Sequence, residues 1–101
     1  MRSILFFDLP VEKDAQRRAY TKFVKNLKKS GFCMLQESVY VKLDMDSQSA
    51  DSTKEKVKKI LPKEGFIAML RITEKQFSGM DFLIGYSDTD VLMDDKRVVE
   101  L

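Results

Sequence analysis

The chain has 101 residues, 44% of them hydrophobic, which supplies one core and one domain, 1–101, and leaves no room for a second. Net charge is only +2, yet residues 1–43 carry nine Lys/Arg against four Asp/Glu while residues 44–101 carry nine against twelve, so a basic surface belongs to the first half. One cysteine, Cys33, excludes an intrachain disulfide, and the absence of histidine removes the commonest general base and the commonest transition-metal ligand.

The first element is the apolar run 3–7, read as a strand. It is too short for a membrane span or a signal segment and is broken by Asp8, so no membrane partner and a cytoplasmic location are expected. Asp8 ends the strand and Leu9-Pro10 turns the chain. A carboxylate there either caps the turn or serves as metal ligand and general base. Mg²⁺ needs only one or two carboxylates beside waters and phosphate oxygens, so a two-fold axis near this strand end would make a site from two copies of Asp8.

A helix follows from an N-cap at Asp14 to Ser30, with Gly31 placed for the left-handed residue that ends it. Tyr20, Phe23, Val24 and Leu27 form its apolar face. Arg18, Lys22, Lys25 and Lys29 fall within roughly a 60° arc on the opposite side, flanked by Arg17 and Lys28. No acidic residue lies between Gln16 and Ser30 to balance them, so phosphate contact is the better reading of Arg17, Arg18, Lys22, Lys25 and Lys29.

Strands over 32–35 and 39–43 come next, then the polar run 44–52, read as a loop. A weaker helix is expected over 51–61, with Val57, Ile60 and Leu61 inward and Pro62 stopping it; its lysines are read as solvation. A strand over 66–72 precedes Thr73-Glu74-Lys75-Gln76, which has capping-box spacing and predicts one helical turn ending near Gly79. A last strand is expected over 82–86, before an acidic tail. Cys33 is read as a packing or strand-edge residue, Tyr40 stays open between that role and chemistry, and Ser38 has no base near it in sequence.

The order β-α-β-β-α-β plus one strand is the ferredoxin-like α+β sandwich with an addition. Its strands are apolar on both parities, as in Ile4, Leu5, Phe6 and Phe7, so something must cover the face opposite the helices. A second copy of the chain is the expected cover, making a homodimer; the alternative is that residues beyond 80 fold over that face.

Five stretches, "FFDLP" (6–10), "RRAYTKF" (17–23), "GFCMLQESVYVKL" (31–43), "RITEKQF" (71–77) and "LIG" (83–85), resemble the family of CRISPR-associated protein two, in the form that accompanies type II systems. The resemblance implies a homodimer in which Asp8 and its mate face each other and hold Mg²⁺ or Mn²⁺, with the C-terminal strand region, about 80–101, engaging the partner protomer. It further implies a role in spacer acquisition, as the scaffold that carries duplex protospacer DNA for the CRISPR integrase subunit. Metal-dependent endonuclease activity on RNA or double-stranded DNA, with Asp8 as the catalytic residue, belongs to some members. The chain departs from nuclease-active relatives at Met34, where an arginine often stands two residues before the glutamine, here Gln36. The alternative function is a stand-alone metal-dependent ribonuclease of the toxin type, a class that shares this fold and its strand-end aspartate.

Overall fold

The central strand is the most buried one. In the computed structural model, which describes residues 1–84, β1 (Arg2–Asp8) lies between two neighbours in an antiparallel sheet of order β2-β3-β1-β4. The chain runs through β1, α1 (Asp14–Lys29), β2 (Cys33–Gln36), β3 (Val39–Leu43), α2 (Ser47–Lys58), β4 (Phe66–Ile72) and α3 (Glu74–Ser78). The expected ferredoxin-like α+β sandwich is present.

Register decides which residues share a face. Ile4 stands opposite Val41 on one side and Leu70 on the other, Phe6 opposite Val39 and Ala68, and Asp8 opposite Phe66. Leu5 and Phe7, of the other parity, point under the helices and pack with Phe23, Leu27, Tyr40 and Val57. Phe7 meets Phe23 edge-on at 5.3 Å between centroids and stacks on Tyr40 at 5.6 Å. Each buried ring or Leu contributes about 1.5–3 kcal/mol, so this cluster fixes the backbone one residue before Asp8.

The opposite face is only half bare. Phe77 of α3 and Phe82 lie over Ile4, Leu35 and Val41 in a second cluster. Thr73 Oγ1 accepts from the Gln76 N–H and Gln76 Oε1 accepts from the Thr73 N–H, so the expected capping box starts α3. Arg2 clamps it, donating from Nε and Nη2 to the two carboxylate oxygens of Glu74 at 2.7 and 3.1 Å, with its guanidinium 4.4 Å from the Phe77 ring centre. The expectation that a second copy covers this face is therefore corrected for the Arg2 end, where α3 and Phe82 of the same chain lie on it. At the Asp8 end no described residue covers it: Phe66 is 80% exposed, Leu70 50% and Phe6 41%.

Three further expectations change. The helix predicted over 51–61 begins four residues earlier, because Asp46 caps it by accepting the Ser49 N–H at 2.8 Å, and it faces inward with Ala50, Thr53 and Val57; Leu61 is exposed. The first helix starts at Asp14, but its cap position is Lys13, and Gln16 Oε1 accepts the N–H groups of Glu12 and Lys13. Phe82, Leu83 and Ile84 are not in a strand. The rest of the predicted last strand, the acidic tail and most of the C-terminal region expected to engage a partner lie outside the described residues.

Candidate functional site

β1 delivers Asp8 to the end of the sheet that no described residue covers. Pleating puts its side chain on the face of Phe6, Ala68 and Phe66, where it is exposed. Among the described residues no donor or cation engages its carboxylate, so the turn-cap role is not what holds it there. The backbone around it is fixed from both sides. The Phe7 N–H donates 3.0 Å to the carbonyl of Ser38, the hairpin residue with φ +65°. On the other flank Gly65 has φ +103°, and a Cβ there would stand 2.5 Å from Leu9 Cδ2 and 2.7 Å from the Asp8 carbonyl oxygen. Only glycine lets the chain entering β4 approach the end of β1 this closely. Asp8, Ser38, Phe6, Val39, Phe66 and Ala68 line an open depression of about 470 Å³.

A carboxylate oxygen is a hard donor suited to Mg²⁺ or Mn²⁺. Among the described residues no three His, Cys, Asp or Glu side chains converge, so one copy offers this place a single carboxylate. The donor chemistry suits the expected ion, and the Asp8 of a second copy would supply a second carboxylate.

The cationic residues of α1 are displayed as the spacing requires. Arg18, Lys22, Lys25 and Lys29 are exposed and, among the described residues, none is ion-paired. Arg17 differs. Its Nη1 donates to the Val11 and Glu12 carbonyls, both at 2.9 Å, and its Nη2 pairs with Asp14. Its guanidinium thus tethers the loop before α1 to the helix, through an acidic partner that lies three residues before it.

A family model described as CRISPR associated protein Cas2 matches residues 1–80. The chain belongs to the Cas2 family. A protein of Treponema denticola named CRISPR-associated endoribonuclease Cas2 is 46% identical over 101 residues, covering all of both chains. Relatives of the same name from Ligilactobacillus salivarius and Streptococcus mutans are 41% and 43% identical over the whole of this chain, which covers 100% and 93% of their lengths.

Against the Cas2 pattern, Met34 packs on the core beneath the helices, paired with Tyr40 across β2 and β3. Tyr40 is buried, and burial pushes its hydroxyl above the ordinary value, with Tyr20 adding to the shift; it packs in the core, and Cys33 is half-buried in the same sheet. The sequence reading missed Asp44. Its buried carboxylate accepts from Ser3 Oγ at 2.6 Å, Thr53 Oγ1 at 2.8 Å and Lys42 Nζ at 3.0 Å, tying β1, β3 and α2 together. Burial pushes that carboxyl up, and the hydrogen bonds from Ser3, Thr53 and Lys42 with the Lys42 charge outweigh it, leaving it below the usual carboxylate range. Among the described residues no helix is long and apolar enough to cross a membrane.

Proposed function

We propose that this Cas2-family chain works as a homodimer in CRISPR spacer acquisition, holding duplex DNA for the integrase subunit, and that its two Asp8 carboxylates form a metal-dependent endonuclease centre. The observation that supports this is the coincidence of two unmet needs at one end of the sheet. An exposed carboxylate lacks a partner among the described residues, and it borders an uncovered apolar patch of Phe6, Phe66 and Leu70. Packing patch against patch about a two-fold axis removes those side chains from water and brings the carboxylates toward the axis. A Mg²⁺ or Mn²⁺ held by the pair supplies charge neutralisation for a scissile phosphate. The chain's own contribution is to hold Asp8 still, through Ser38, Gly65 and the Phe7 cluster, and to bind phosphates along α1 without reading sequence.

A second reading, a stand-alone metal-dependent ribonuclease, is favoured by the word endoribonuclease in the names of the relatives. One pair of assays separates the two. Asp8→Asn is compared with the unmodified protein for cleavage of RNA and duplex DNA with Mg²⁺, Mn²⁺ or chelator, and for spacer integration with its integrase. Loss of cleavage with integration intact is the expected result. Cleavage that survives the change overturns the metal centre, and a protein that cleaves RNA but forms no complex with integrase and duplex supports the stand-alone reading.

A further inference from the structure

Besides the depression at Asp8, the described residues form a groove on the helix side of the same sheet end, about 420 Å³ in volume, between α1 and residues 59–64. It begins at Leu9 and Pro10, the two residues after Asp8, and its apolar walls include Tyr20, Ile60 and Pro62. Three lysines border it: Lys22, Lys59 and Lys63. None of the three is ion-paired among the described residues, while the one carboxylate at the rim, Glu64, accepts from Gln16 Nε2 at 3.1 Å. The groove is thus an apolar slot with a cationic edge, sized for a small aromatic anion.

We infer that this groove receives the unstacked base of a single-stranded nucleotide, whose phosphates lie on Lys22 and the neighbouring lysines. The inference rests on the nucleic-acid reading above and adds a substrate feature to it. Two observations choose a nucleotide over an acidic peptide. Lys22 belongs both to the groove rim and to the α1 row of Arg18, Lys25 and Lys29, so a backbone tracked along that row reaches the groove without a break. The walls also offer the half-buried Tyr20 ring for stacking and the Asn26 side-chain amide for a base edge, the combination by which unpaired nucleotides are held.

Ala19 lines the groove from an exposed helix position, so Ala19→Trp fills it without changing charge. Binding is measured by fluorescence anisotropy with oligo(U), oligo(dT) and a duplex of about 15 nucleotides, and with an abasic strand of the same length. The expected result is affinity for oligo(U) or oligo(dT) reduced on the order of tenfold in Ala19→Trp, with duplex affinity unchanged. In the unmodified protein the abasic strand binds weaker than oligo(dT) by a similar factor, a readout that needs no variant. Equal loss on single strand and duplex, or equal binding of abasic and normal strands, overturns the inference while the duplex reading stands. So does an Asp- and Leu-rich peptide that binds the unmodified protein, fails on Ala19→Trp, and does not compete with oligo(dT). Absence of binding to any nucleic acid overturns both readings.

Discussion

Changing Arg18 and Lys22 together to Ala tests whether the α1 row touches phosphates. Both side chains are exposed and unpaired among the described residues, and Ala favours helix, so folding should change by no more than about 0.5 kcal/mol. A dimer presents Arg18, Lys22, Lys25 and Lys29 twice. With all of them on phosphates, log K for duplex falls with log salt at a slope of about −7, and the double variant, having lost half, at about −3.6. Between about 50 and 200 mM salt, affinity then drops roughly 20,000-fold for the unmodified protein but only about 150-fold for the variant. Anisotropy titrations of a labelled duplex across that range measure both slopes, with circular dichroism to confirm the fold. Lys54→Ala with Lys56→Ala, on α2, is the matched control and should leave the slope alone. Parallel lines for the α1 variant and the unmodified protein would refute the reasoning and return these cations to solvation.

Asp44→Ala leaves Ser3, Thr53 and Lys42 without their shared acceptor and should cost about 3–5 kcal/mol in urea unfolding near neutral pH. Since the folded state holds this carboxyl below its ordinary range, its stabilisation is complete above the unfolded-state value, about pH 3.9, and is lost as pH falls through the lower folded-state value. The gap between the two proteins should therefore shrink in acid, and a gap that is constant with pH argues against the assignment. Phe66→Asp with Leu70→Asp, both at exposed positions of β4, should abolish dimerisation by sedimentation equilibrium and leave the circular dichroism of the protomer unchanged; a persisting dimer places the interface elsewhere.

Period and punctuation made most of the sandwich legible. The four strands of the sheet, α1 and its end at Gly31 (φ +99°), and the Thr73–Gln76 box all follow from local rules that the tertiary structure leaves intact. Asp8 was legible for the same reason: a carboxylate following four apolar residues has few places to be except a strand end. The start of α2 was not, because its first turns face the core with Ala50 and Thr53, which carry no bulky apolar signal, and because Asp44 is buried by partners forty-one residues upstream and nine downstream. An Asp followed three residues later by Ser at 46–49 was the available hint. The groove at Leu9 was invisible for a related reason, since its walls come from α1 and from a loop forty residues away whose lysines look, in sequence, like any solvated run.

α3 is the longest-reaching consequence of the Thr73–Gln76 box. A flat apolar sheet face lets a second copy slide along the strands in steps of two residues, about 7 Å, with little change in what is buried. Phe77, held by the Arg2 clamp, and Phe82 stand up from one end of that face, so in the proposed homodimer a copy displaced toward Arg2 would meet a wall. Such a stop removes alternative alignments instead of adding attraction to the preferred one. In the proposed homodimer these five helical residues, at the opposite end of the sheet from Asp8, would thereby set how near two strand ends come to each other.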